Sequence, residues 1–277
     1  MRYKIQLVLI ILLLTTITAF AEGLTVRFLD VGQADAAILT CDGETLMIDG
    51  GNAGDSDFIY SYLKNTLGLT HIDYMIATHP HEDHIGGLSA ALNACTVGML
   101  YSPVTEYDSK PFSSLLKYAD RQGIEITVPN VGDKFTLGEA EVQILSPCRD
   151  YSDMNDMSIA VRVVYGETAF LFTGDAGWDA EHDLLESGYP LSTDVLKVAH
   201  HGSDTSTCYA FLRAVMPRYA VISVGEGNAY GHPSEATLSR LRDAGSIILR
   251  TDIDGDIVFH SNREDVWVET GDYSLLE

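Results

Sequence analysis

The chain has 277 residues, 46% of them hydrophobic, which is enough to bury the core of one large domain or two small ones. It carries 40 acidic and 17 basic residues, a formal net charge of −23. This negative field weighs against tight binding of long nucleic acid, which relies on Lys and Arg contacts to phosphates. It leaves open a phosphate ester bound at a metal centre, where the cations supply positive charge.

The first residues have the layout of a secretory signal. Arg2 and Lys4 precede an apolar run from Ile5 to Ile17, and the small-x-small pattern Ala19-Phe20-Ala21 follows. The run of about thirteen residues is short of the roughly 20 that a spanning helix needs, although an uncleaved anchor is the alternative. We predict a signal peptide over residues 1–21 and a single domain over residues 22–277. The mature chain would be secreted or held at the cell surface, without stable membrane insertion.

Hydrophobic periodicity and turn residues give the expected elements in chain order. Strands are predicted at Leu24–Leu29, Ala36–Thr40, Thr45–Ile48, Ile72–Thr78, Val97–Tyr101, Ile124–Val128, Lys134–Leu137, Ala140–Ser146, Ile159–Tyr165, Thr168–Thr173, Val195–Ala199, Tyr219–Ser223, Ile247–Arg250, Ile257–His260 and Val266–Glu269. Helices are predicted at Asp57–Leu67, Gly86–Leu92, Ser113–Gln122, Asp179–Ser187, Ser206–Val215 and Ser234–Ala244. This interleaving, with strand-rich blocks in each half, predicts two sheets covered by outer helices.

The strongest chemical signal is a cluster of histidines and acids directly after a predicted strand. It reads His79-x-His81-x-Asp83-His84-x-Gly86-Gly87. Alternate residues of an extended segment point the same way, so His79 and His81 can grip one cation. Asp83 and His84 can face a second cation, and the glycine pair lets the next helix pack close. Imidazole with carboxylate suits Zn²⁺, Mn²⁺ or iron, and such a cluster is costly to bury without a partner.

Three further motifs also follow predicted strands. Asp175 ends the apolar segment Phe170–Gly174, and a carboxylate there can bridge two cations. His200 and His201 follow the strand that ends at Ala199. Adjacent residues of a strand face opposite sides, so we do not expect both to bind the same cation. His232 precedes a proline in a glycine-rich loop, where a ligand, a general acid and a substrate contact all remain open.

Together these motifs resemble the metallo-β-lactamase superfamily, and within it the extracellular hydrolase domain of ComEC-type competence proteins. The match extends from about Leu24 to about Phe259 and is carried by Phe28–Ala36, Ile48–Gly51, Thr78–Gly87, Asn155–Ser158, Thr173–Asp175, Val195–Ser203 and Gly231–Pro233. The resemblance implies an αββα four-layer sandwich with two divalent metals, Zn or Mn, at the edge between the sheets.

Carried over residue by residue, the resemblance implies a set of cation ligands: His79, His81, Asp83, His84, Asp175 and His201. The first two would bind one cation, Asp83 and His84 the other, and Asp175 would bridge them. Either His200 or His201 would complete the second site, and His201 is the ligand that we predict. Asp83, His200 and His232 are the predicted catalytic residues, for orienting the attacking water and protonating the leaving group.

Two departures from the superfamily pattern affect this assignment. Many members supply another histidine between the first motif and the bridging aspartate, whereas this chain has none between His84 and Asp175. Asn155 and Ser158 occupy that region instead, so the first cation would be weakly bound or exchangeable. ComEC-like domains also often have Asp at the position of His81, which brings this chain nearer to the general hydrolase pattern.

Three functions are compatible with these motifs. The first is a secreted phosphodiesterase or nuclease-like enzyme acting on a small phosphoester or a short oligonucleotide through two-metal hydrolysis. The second is an acyl hydrolase that cleaves a lactone, a thioester or a β-lactam, a chemistry that the absent third histidine fits poorly. The third is a binding or sensing protein with an inactive metal site, against which the complete first motif and Asp175 speak. Fold class does not choose the substrate, and the oligomeric state is left open.

Overall fold

The strands form one eight-stranded and one seven-stranded sheet within residues 23–270, the range that the computed structural model of the protein describes. The strands are β1 Leu24–Phe28, β2 Ala37–Cys41, β3 Glu44–Ile48, β4 His71–Ile76, β5 Thr96–Tyr101, β6 Ile126–Thr127, β7 Lys134–Leu137, β8 Ala140–Ile144, β9 Val161–Tyr165, β10 Thr168–Phe172, β11 Val195–Lys197, β12 Tyr219–Ile222, β13 Ile247–Arg250, β14 Ile257–Ser261 and β15 Val266–Thr270. The first sheet has the order β15-β14-β1-β2-β3-β4-β5-β6, and the second has the order β13-β12-β11-β10-β9-β8-β7.

Helices cover the outer faces of both sheets. They are α1 Ser56–Ser61, α2 Glu82–Ile85, α3 Leu88–Ala94, α4 Lys110–Gln122, α5 Trp178–Glu186, α6 Tyr209–Val215, α7 Glu235–Asp243 and α8 Thr251–Asp254. In the described part of the chain, no helix is long and apolar enough to cross a bilayer. The predicted signal peptide, residues 1–21, lies outside the described residues.

Strand alternation explains how four layers arise. On β10, Phe170 and Phe172 enter the core between the two sheets, where Phe28 of β1 stacks on Phe172 at 5.5 Å. Leu171, between them, points the other way and packs with Leu184 and other residues of the second helical layer. A separate apolar cluster joins the first sheet to α1, α3 and α4. The αββα sandwich predicted from the sequence is therefore confirmed.

Several element boundaries differ from the prediction. The helix predicted from Asp57 begins at Ser56, and its last turn, Tyr62–Thr66, is a π-helix. The helix predicted from Ser206 begins only at Tyr209. The buried Glu181 carboxylate accepts the backbone N–H groups of Thr207 and Cys208, which holds that segment outside the helix. The helix predicted at Gly86–Leu92 is α3, which begins only at Leu88, and the separate short helix α2 precedes the glycine pair.

Candidate metal centre

The candidate ligands come from loops at the carboxyl ends of parallel strands. Strands β3 to β6 run parallel in the first sheet and β10 to β13 in the second. The segment after β4 carries the four residues of the first motif, Asp175 follows β10, and His201 follows β11. Ligands of open α/β sheets bind outside the carboxyl ends of strands, so the topology directs all six candidate side chains to one edge.

Two glycines allow the first motif to lie this close to the neighbouring loop. A Cβ atom on Gly87 would lie 2.0 Å from the Gly50 carbonyl oxygen, and one on Gly86 would lie 2.1 Å from the Ala53 nitrogen. Real side chains cannot approach backbone atoms at that distance. The prediction that this pair lets the following helix pack against the site agrees with the geometry.

Four side chains converge on what would be the second cation site. Asp83, His84, Asp175 and His201 each offer one ligand atom, and these four atoms lie within 4.8 Å of one another. His84 Nε2 lies 3.2 Å from Asp175 Oδ1, and His201 Nε2 lies 3.3 Å from Asp83 Oδ2. All but Asp83 are buried, so the group opens towards solvent on the Asp83 side.

Hydrogen bonds on the far side of each imidazole decide which nitrogen faces the centre. His201 Nδ1 lies 3.0 Å from the Ser223 carbonyl oxygen, which can only accept, so Nδ1 carries the proton. His84 Nδ1 lies 2.7 Å from Asp49 Oδ2 and donates to it. In the neutral rings, Nε2 of each histidine therefore presents a lone pair to a carboxylate oxygen. Opposed acceptors repel unless a proton or a metal cation lies between them, and the donor set fits a divalent metal.

A second pair of histidines lies on the other side of Asp175. His79 Nε2 is 3.0 Å from His81 Nδ1 and 3.9 Å from Asp175 Oδ2. One Asp175 oxygen thus lies near His84, and the other lies near both His79 and His201. Ser158, in the segment where the sequence offers no third histidine, lies on the Nδ1 side of the His79 ring: its hydroxyl is 3.4 Å from His79 Nδ1 and accepts the Asp175 N–H.

The two adjacent histidines do not continue the strand to opposite faces as expected: Nε2 of each lies 3.8 Å from Asp175 Oδ2, and they differ in burial. Both lie in left-handed backbone at φ near 50°, an unusual conformation for non-glycine residues that often marks functional sites. The turn buries His201 but leaves 28% of the His200 side chain exposed, with His200 Nε2 3.8 Å from Asp175 Oδ2. The ring of His232 lies 5.6 Å from that of His200, so both predicted proton donors face the same opening.

Burial and the buried carboxylates set the protonation of the centre. Burial, helped by the charge of His84, lowers the pKa of His79 well below its ordinary value. Burial acts the same way on His84 and His201, but Asp175 and the other neighbouring aspartates outweigh it. They raise the pKa of His84 well above its usual value and that of His201 to about 10. The centre is thus organised to hold positive charge.

The cavity beside the candidate ligands has a volume of about 360 Å³, within the usual range for small-molecule sites. Its lining includes Asp83, Asp175, His200, His232 and Tyr230. A larger cavity of about 500 Å³ lies elsewhere, along β1 to β3, and contains none of the candidate ligands. The candidate site is therefore identified by the convergence of ligand atoms in the smaller cavity and not by cavity volume.

Sequence reasoning missed the side chains that support the ligands. Asp49 accepts hydrogen bonds from the backbone and the hydroxyl of Thr78 as well as from His84. Asp35 lies 3.2 Å from His201 Nδ1 and accepts from the buried ammonium of Lys197 at 2.7 Å. The sequence did contain one indication of these partners. Lys197 lies in the otherwise apolar strand β11, and a buried charge needs a partner.

The fold and this site define a metallohydrolase-type sandwich, with a His- and Asp-rich centre at the edge between two sheets. The family model of the metallo-β-lactamase superfamily matches residues 29–226. The chain belongs to that superfamily.

Curated relatives place it beside competence proteins. It is 28% identical to ComE operon protein 3 of Bacillus subtilis over 88% of this chain and 34% of that protein. It is 31% identical to competence protein ComA of Neisseria gonorrhoeae, over 84% of this chain and 32% of that protein. Recombination protein 2 of Haemophilus influenzae is 30% identical, over 90% of this chain and 31% of that protein. The chain therefore spans about a third of the length of these relatives, and the ComEC-type resemblance is confirmed.

Solved structures show the same fold at low identity. CmlA, a diiron beta-hydroxylase from Streptomyces venezuelae, superposes with a TM-score of 0.58 at 16% identity, over 87% of this chain and 54% of that chain. Igni18, a metallo hydrolase from Ignicoccus hospitalis, gives 0.57 at 16% identity, over 86% of this chain and all of that one. These two proteins share the sandwich with this chain.

Proposed function

We propose that the protein is an exported metal-dependent phosphodiesterase that hydrolyses small phosphodiesters or short oligonucleotides through a dinuclear Zn²⁺ or Mn²⁺ centre. The observation that carries the proposal is the convergence of the Nε2 atoms of His79, His84 and His201 on the buried carboxylate of Asp175. Residues 1–21 would direct export, so the enzyme would act outside the cell or at its surface.

The first cation would be held by His79 and His81, and the second by Asp83, His84 and His201, with Asp175 between them. When bound, the cations would lower the pKa of a water molecule and polarise the phosphoryl oxygen. The chain has no histidine between His84 and Asp175 that could add a further ligand, so the first cation would exchange more readily than the second.

The remaining side chains of the site would position water and move protons. Asp83, 34% exposed at the cavity, can accept a hydrogen bond from the attacking water and orient it. His200 and His232 lie on the open side, where a leaving oxygen would be. Burial and neighbouring His200 lower the pKa of His232, so a proton on it is readily given up.

A phosphodiester is favoured over an acyl substrate for two reasons. The relatives are named for competence and recombination, which favours a nucleic acid phosphodiester bond. Two carboxylates among the candidate ligands, Asp83 and Asp175, suit two cations, and two cations suit an anionic ester. The net charge of −23 favours short substrates over long duplexes.

The test is hydrolysis of bis-p-nitrophenyl phosphate and of a short single-stranded DNA by residues 22–277. Activity should disappear with a chelator, return with Mn²⁺ or Zn²⁺, and be lost in His81→Ala. The matched control is His182→Ala, since His182 lies on the exposed face of α5. Retention of activity by His81→Ala, or faster hydrolysis of nitrocefin or a lactone than of either phosphodiester, would overturn the proposal.

A further inference from the structure

The loop over the mouth of the metal cavity is held in one shape by Asn228. The Asn228 side-chain amide donates to the carbonyl oxygens of Gly225 at 3.0 Å and His232 at 2.6 Å. Its oxygen accepts the backbone N–H groups of Tyr230 and His232, both at 3.1 Å. One side chain therefore satisfies four backbone groups, and the loop presents Tyr230 from a preorganised backbone.

The Tyr230 ring is exposed although it lines the cavity. Its side chain is 73% exposed, and its ring stacks on that of His232, with centroids 5.8 Å apart and planes 24° from parallel. His232 in turn lies beside His200, which is 3.8 Å from Asp175 through its Nε2. A row of rings thus leads from the candidate centre to Tyr230, the outermost and most exposed of them.

The charges of the cavity say what this ring can bind. Among residues 23–270, no lysine or arginine lines the cavity, while Glu82, Asp83 and Asp175 do. A substrate anchored by its phosphoryl group at the cations would gain no further ion pair from these walls. Additional affinity must come from uncharged contacts, and the exposed Tyr230 ring offers an aromatic surface at the rim. Nucleobases stack well on such faces whatever their sequence.

We propose that Tyr230, supported from behind by His232, is a stacking platform for a nucleobase attached to the phosphodiester that is cleaved. The substrate class is then a nucleotide-bearing diester, in preference to a diester whose substituents are aliphatic. This assignment rests on the proposed phosphodiesterase function and adds to it the group that the site selects.

Two substrates with the same leaving group test the platform: the p-nitrophenyl ester of thymidine 5′-monophosphate and methyl p-nitrophenyl phosphate. Tyr230→Ala should lower kcat/KM for the thymidine ester by about 5- to 150-fold, the range given by removing one stacked base, mainly through KM. The methyl ester should change less than about twofold by the same reasoning. Tyr230→Phe should behave as the parent, because it keeps the ring, and Tyr209→Ala, an exposed tyrosine on α6, is the matched control.

Equal losses on both substrates, or none on either, would overturn the platform while leaving the phosphodiesterase intact. Binding without turnover separates the two proposals: calorimetric titration of metal-loaded protein with thymidine 5′-monophosphate and with methyl phosphate. If neither ester is hydrolysed, the phosphodiesterase proposal fails. In that case a Tyr230-dependent preference for the nucleotide still supports the platform, and equal affinity in parent and Tyr230→Ala overturns it as well.

Discussion

Replacing Asp35 by Asn should weaken cation binding at the Asp83–His84–His201 site by about 10- to 100-fold, the usual effect of removing a partner of a ligating histidine. One Asp35 oxygen lies 3.2 Å from His201 Nδ1, and the other accepts from Lys197 at 2.7 Å. Asn keeps the shape but not the negative charge that holds the ring. It also leaves the Lys197 ammonium, 4% exposed, without its counter-ion, which should cost about 3–5 kcal/mol of folding free energy.

The double variant Asp35→Asn with Lys197→Met separates these two effects. Removing both charges of a buried pair is often nearly neutral, so most of the lost free energy of unfolding should return. The orientation of His201 should not return, because Ser223 then holds Nδ1 without a carboxylate beside it. The double variant should therefore regain most of its free energy of unfolding but not its cation affinity.

The assay is competition for Zn²⁺ with a chromogenic chelator, combined with urea unfolding of the metal-free proteins. Leu184→Ala, which removes a fully buried side chain from the helical layer over the second sheet, serves as the control for general destabilisation. If the double variant regained cation affinity together with stability, Asp35 would act only through the fold. If Asp35→Asn changed neither quantity, the buried Asp35–Lys197 pair would contribute to neither folding nor cation binding, and the reasoning would be wrong.

Four further outcomes are expected. Mn²⁺ or Zn²⁺ at 100 times its Kd should raise the free energy of unfolding by about 2.7 kcal/mol, and an unchanged melting temperature would contradict specific binding. Apparent cation affinity should rise from pH 6 to pH 9, because a cation must displace the protons held by His84 and by His201, whose pKa is about 10. Calorimetry in two buffers of different ionisation enthalpy should detect the released protons. Burial raises the pKa of Glu181 from 4.5 to about 7, so the folded state favours the protonated carboxyl. The free energy of unfolding should therefore fall by up to about 3 kcal/mol as the pH rises between those values. Urea titrations should show this pH dependence in the parent and not in Glu181→Gln. Gly87→Ala should destabilise by about 1–3 kcal/mol or more through collision with backbone, whereas Gly54→Ala, which meets open space, should unfold as the parent does.

Much of the site was readable because its ligands follow strands. The apolar strand before Thr78 and the strand ending at Phe172 were visible as periodic segments, and polar residues directly after them stand out. The cluster of His79, His81, Asp83 and His84 needs no long-range information, since its spacing alone predicts a cation site. The αββα sandwich followed from interleaved helices and strands together with the family resemblance.

The supporting residues depended on the tertiary structure. Asp35 lies in the loop between β1 and β2 of the first sheet, whereas Lys197 ends β11 and Ser223 follows β12 in the second sheet. Nothing local pairs them, because the register between strands and the packing of one sheet on the other decide which loop ends meet. The same is true of His200 and His201: strand alternation predicted opposite faces, but the left-handed turn brings both to Asp175 and buries only His201.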